Sequence, residues 1–225
     1  MNLFSPSDDV QMGREAYEQV LAEGKVVKSG PDRAMVQRVM ERLVAVADDS
    51  GYEWEVNLLE APDTVNAFAL PGGKMAVYTG ILPVCASEAG LAVVMGHEIG
   101  HVVARHGTER MTSSLGLEVV LALLDVGDYE QLARMGYSLL VELPYGREHE
   151  SEADRIGLIY MARAGYDPEE AVRFWERMGQ ATGDGPPEFL STHPSHETRV
   201  RNLRKWLPEA RAEAPGSAPS KPATP

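Results

Sequence analysis

The chain has 225 residues, 44% of them hydrophobic, which is enough for one sizeable core and points to a single domain rather than two. A formal net charge of −13 excludes nucleic acid and anionic membrane as electrostatically recruited partners. The single cysteine, Cys85, excludes an intrachain disulfide and reads as a small packed residue.

Met1 to Pro6 carries no basic segment followed by an apolar stretch, so no signal peptide is expected there. Ser5-Pro6-Ser7-Asp8-Asp9 has cap residues and early acids, which predicts a helix running to about Gly24. Pro31 opens a second helix, in which Met35, Val36, Val39, Met40, Leu43 and Val44 recur at helical spacing. The pair is expected to cover a sheet. Period-two alternation then predicts short strands near 54–59, 65–70 and 74–79, with Pro71-Gly72-Gly73 as the turn before the last, in a small, mainly antiparallel sheet.

From Ser87 the pattern is helical. Ser87 can cap a helix ending near Gly107, and further helices are expected near 112–124, 128–142, 147–164, 168–180 and 196–206. No apolar run reaches the roughly 20 residues that span a bilayer. The longest, Leu115 to Leu124, reads as a core or hairpin helix, with a surface touching a membrane or partner as the competing reading. After residue 207 the composition turns to Pro, Ala, Ser and Gly, predicting a disordered tail over 208–225 behind a domain of residues 1–207.

Chemistry enters at His97-Glu98-Ile99-Gly100-His101, which follows the apolar run Leu91 to Met95. Residues four apart on a helix differ by about 400° of rotation, so both imidazoles leave one face and can share a metal. Glu98 lies about 100° round from His97, beside the ligands, where a carboxylate can act as general base toward water. Burying two His and a Glu without pairing or ligation costs several kcal/mol, and metal binding removes that cost. A catalytic zinc takes three protein ligands. The segment Arg147 to Gly157 offers the third: Glu150 and Asp154 share a helix face, Glu152 points elsewhere, and Asp154 can accept a hydrogen bond from the far nitrogen of a ligand His. A solvated acidic helix face is the competing reading.

The HExxH at 97–101, the ExxAD of Glu150, Ala153 and Asp154 followed by Arg155-Ile156-Gly157, and Thr192-His193-Pro194 together resemble peptidase family M48. These are the gluzincins that include the CaaX prenyl proteases, HtpX-type proteases and OMA-type quality-control peptidases, and the chain is most similar to soluble extracytoplasmic bacterial members. The resemblance implies an α+β, mostly helical zincin-like fold built around the HExxH helix, with one zinc per chain. It implies His97, His101 and Glu150 as ligands, Asp154 behind them, Glu98 as base, and His193 and Arg199 at the scissile carbonyl. His193 can in some relatives swing onto the zinc. His106 and His149 read as surface or structural residues, and His196 as part of the first turn of the last helix. The segment Asn66-Ala67-Phe68 with Lys74-Met75-Ala76 resembles the edge-strand region that takes an extended substrate by main-chain pairing. An ordinary hairpin is the plainer reading.

The expected function is therefore a zinc metalloendopeptidase acting on unfolded or misfolded polypeptides, with a zinc-bound chaperone or assembly factor as the rival. Glu98 favours the enzyme, since a pure binder needs no base. Expected partners are polypeptide substrates, with no nucleic acid and no transmembrane segment, and with peripheral membrane contact left open. The resemblance implies a periplasmic or envelope location if a signal segment was removed, and a cytoplasmic one otherwise.

Overall fold

The computed structural model describes residues 2–48, 51–180, 187–194 and 197–216, which excludes His196 and residues 217–225 of the expected tail. Helix α1 (Pro6–Glu23) starts on a capping box: Asp8 N–H donates to Ser5 Oγ at 3.2 Å, and Ser5 N–H donates to Asp8 Oδ2 at 2.6 Å. Helix α2 (Pro31–Val44) has Pro at its first position, where the missing N–H costs nothing.

Three strands follow, β1 (Glu55–Leu59), β2 (Ala67–Leu70) and β3 (Lys74–Tyr78), in the order β1-β3-β2. The sheet is mixed rather than mainly antiparallel. Gly72 and Gly73, with φ of 75° and 96°, fold β2 back on β3 as an antiparallel pair, whereas β1 runs parallel to β3 on its other side. Buried on both faces, β3 has the environment a parallel pairing calls for. Alternate residues of β2 face opposite ways: Ala67 and Ala69 enter the core made with α2, while Phe68 and Leu70 enter a second core under α1. The two helices thus cover opposite faces of the sheet.

Helix α3 (Leu82–Cys85) is a single turn that the sequence pattern did not suggest. Cys85 is buried and free, and burial pushes its thiol up to about 12, in keeping with a packed residue. Helix α4 (Glu88–Val103) carries the HExxH, with Ser87 Oγ accepting from Gly90 N–H at 3.0 Å. It stops short of the expected Gly107, because Arg105 turns left-handed at φ 60° while its side chain pairs with Asp9 at 2.7 Å. Gly107 lies inside the next helix, α5 (His106–Leu115).

Gly116, at φ 86°, splits the expected 112–124 helix, and α6 (Leu117–Val126) begins beyond it. Only Val120 of α6 is buried; Leu117, Val119, Leu121 and Val126 stand exposed, so this apolar run is not core. Helix α7 (Tyr129–Val141) returns to pack on α1. Helix α8 (Arg147–Arg163) lies directly against α4, because Gly96 and Gly100 meet Ala153 and Gly157. A Cβ on Gly157 would stand 2.7 Å from His97 N, and one on Gly100 2.7 Å from Ala153 O. Side-chain-free contact is what lets the HExxH helix and the Glu150 helix share a site. Helices α9 (Glu169–Gln180), α10 (Glu188–Thr192, also unexpected) and α11 (Glu197–Ala212) complete the described chain. Because α11 continues through Pro208 to Ala212, the start of the expected tail is helical.

Candidate metal centre

His97 and His101 leave the same face of α4, Glu150 comes from the first turn of α8, and His193 stands just past the end of α10. All four are buried, and one donor atom from each lies within 4.8 Å of the other three. His97 Nε2 is 3.0 Å from His101 Nε2 and 3.5 Å from Glu150 Oε2; His101 Nε2 is 3.2 Å from Glu150 Oε1. His193 Nδ1 approaches His97 Nε2 at 3.1 Å and Glu150 Oε1 at 2.9 Å. Donors held about 2.0–2.1 Å from a tetrahedral zinc stand about 3.3 Å apart, so the spacing suits that ion.

The far nitrogens supply a second test of fit. His97 Nδ1 lies 3.0 Å from Asp154 Oδ1, and His101 Nδ1 lies 2.9 Å from His106 Nδ1. With hydrogens on those nitrogens, two Nε2 lone pairs and a carboxylate would converge on one buried point, an arrangement that fits a cation between them. Burial and the field follow suit. Burial opposes ionisation of Glu150, yet the nearby His193 and His97 hold its carboxyl well below the usual range. Burial pushes His101 well down, toward the neutral form a ligand needs.

Glu98 faces the same point from beside the cluster. Its Oε2 accepts from Ala69 N–H of β2 at 3.1 Å, while Oε1 lies 3.2 Å from His193 Nε2 without a hydrogen bond. Burial raises its pKa, the direction that lets a carboxylate take up and later release a proton. Burial lowers the pKa of His193, but the carboxylates of Glu98 and Glu150 outweigh this and raise it.

Arg199, expected at the substrate carbonyl, lies against the carboxylates of the cluster. Its guanidinium donates to Glu150 Oε2 at 2.8 Å and to Asp154 Oδ1 at 2.7 Å, and lies 3.4 Å above the Trp175 ring. Bonded to the carboxylates of Glu150 and Asp154, it is placed to orient both. Glu152 points away from the cluster, its side chain 60% exposed, and meets His106 instead.

The substrate strand also needs correction. Lys74, Met75 and Ala76 belong to the central strand, paired on both sides, so no added peptide can join there. Of the expected segment, the outer edge of β2, which holds Ala67 and Phe68 and follows the buried Asn66, remains for that purpose. That edge is partly taken, since Phe189 N–H donates to Val65 O at 3.0 Å beside the Ala69–Glu98 bond. Tyr145, stacked on His101 at 4.0 Å, and Trp175 are site residues that sequence reasoning missed, since an isolated aromatic gives no spacing signal.

The family model described as Peptidase family M48 matches residues 32–207. The mitochondrial metalloendopeptidase OMA1 of Schizosaccharomyces pombe is 40% identical over 210 residues, covering 90% of this chain and 62% of the relative. The human mitochondrial metalloendopeptidase OMA1 is 33% identical over 219 residues, covering 87% of this chain and 41% of the relative. The Escherichia coli β-barrel assembly-enhancing protease is 29% identical over 215 residues, covering 89% and 44%. The chain thus spans less than two thirds of the length of these relatives.

Proposed function

The chain belongs to peptidase family M48, and from that premise we propose that it is a zinc-dependent metalloendopeptidase acting on unfolded polypeptides in protein quality control. The observation that supports this most is the buried convergence of His97, His101 and Glu150 with Glu98 beside them. Zinc held by those three residues would supply Lewis acidity toward a carbonyl and a water. Glu98 takes the water proton at Oε1, which no hydrogen bond engages, and passes it to the departing amine, a transfer its raised pKa favours. The outer edge of β2 holds the peptide by main-chain hydrogen bonds, which reads no side-chain sequence and so suits unfolded substrates. Among the described residues no single helix is long and apolar enough to cross a membrane. The mitochondrial naming of the OMA1 relatives supports a place of action outside the cytosol.

His193 makes this arrangement a resting one. With His193 the cluster offers four donors, which would fill a tetrahedral zinc; His193 also lies against Glu98, and α10 is bonded to Val65 at the start of the β2 edge. Cleavage then requires α10 and His193 to withdraw. Casein cleavage by His193→Ala is expected to run about 3–10 times faster than by wild type, as removing a closed state populated near 90% allows. A metal chelator should silence both proteins. Slower cleavage by the variant would instead assign His193 a catalytic part, and chelator-resistant cleavage would remove the zinc mechanism.

A further inference from the structure

The two ligand histidines of α4 are supported in unlike ways. His97 presents Nδ1 directly to the Asp154 carboxylate, which Arg199 holds in turn. Among the described residues no carboxylate is bonded to His101 on that side. Its Nδ1 meets His106 Nδ1 at 2.9 Å, and the other nitrogen of His106 meets Glu152 Oε2 at 3.1 Å. Since His101 turns Nε2 toward His97 and Glu150, the hydrogen of its neutral ring sits on Nδ1 and must find an acceptor. His106 Nδ1 is that acceptor. Its own hydrogen then sits on Nε2 and is donated to Glu152, which fixes the tautomer of both rings.

The chain places the parts locally. Arg105, left-handed at φ 60°, ends α4 and starts α5 at once, which swings the His106 ring back beneath His101. Glu152, two residues past Glu150, leaves α8 on a different side and reaches His106 from outside. His106 is 1% exposed, so without Nδ1 the His101 N–H would lose its partner in a place water does not readily reach. His149 stacks on His106 with ring centroids 4.2 Å apart and closes its other face.

We propose that His106 and Glu152 form a carboxylate–histidine relay that positions His101 as a zinc ligand. His106 is a positioning residue: it acts through His101 and touches no substrate. The inference rests on the metal centre described above.

Zinc affinity of the loaded protein, measured by competition with a fluorescent chelator, tests it. Loss of such a partner weakens metal binding about 10–100-fold, and that loss is expected for His106→Ala. His106→Asn, whose Oδ1 can replace Nδ1 as acceptor, should come within about threefold of wild type, as retention of the partner implies. Glu152→Ala alters a side chain that is 60% exposed and should weaken binding about 3–10-fold, a partial loss of the same support. Affinities within twofold of wild type in both His106→Ala and Glu152→Ala overturn the relay. A wild-type chain that binds no zinc would overturn the metal centre itself, a separate failure. Nitrogen NMR of labelled histidines gives an independent readout: His106 should carry its hydrogen on Nε2, and a hydrogen on Nδ1, facing that of His101, overturns the proposal.

Discussion

Glu98→Gln is expected to lower kcat for casein cleavage about 100- to 10,000-fold, the range general acid–base catalysis contributes, while zinc content and melting temperature stay at wild-type values. The amide has the shape of the carboxylate, and its oxygen can still accept from Ala69 N–H, so β2 keeps its contact with α4. What it lacks is basicity. Glu98 is not among the four groups that could hold a metal, which is why metal content should not follow activity. A kcat within tenfold of wild type would move the base elsewhere, and loss of zinc would place Glu98 among the ligands.

Arg199→Ala is expected to cost about 3–5 kcal/mol of stability, the scale for removing one partner of a buried ion pair. For a domain of this size that is a fall in melting temperature of roughly 6–20 °C. Arg199 is 4% exposed and serves two carboxylates at once, through Glu150 Oε2 at 2.8 Å and Asp154 at 2.6–2.7 Å. Its loss leaves both underneutralised in a place with little water. Zinc binding should weaken as well, because Asp154 orients His97 and Glu150 is itself a proposed ligand. Arg199→Lys should recover only part of the loss, since an ammonium cannot bridge both carboxylates in a plane or stack on Trp175. A melting temperature within 2 °C of wild type for Arg199→Ala would contradict this account.

Much of the site could be read from the chain because its parts are local. The four-residue spacing of His97 and His101 is a helix property, and so is the shared face of Glu150 and Asp154. Caps at Ser5 and Ser87 are likewise short-range chemistry. What stayed hidden depends on contacts distant in sequence. Strand order is one case: nothing in Lys74–Tyr78 says that β1 will pair on its far side, so the strand looked like an edge. Arg105 is another, where a left-handed residue is held by Asp9 on a helix 96 positions away. Arg199 was placed at the scissile carbonyl by the family resemblance alone, and nothing local in the sequence announces its bonds to α8 across 45 and 49 positions. The apolar α6 misled in the opposite sense, since composition records hydrophobicity and not what covers it.

Zinc per chain in wild type, Glu150→Ala and Glu98→Gln, read by elemental analysis of the purified proteins, tests the metal centre most directly. About one zinc is expected in wild type and Glu98→Gln, and well under half that in Glu150→Ala, as a site with one ligand carboxylate removed should show. Wild-type zinc retained at full stoichiometry in Glu150→Ala would contradict the assignment.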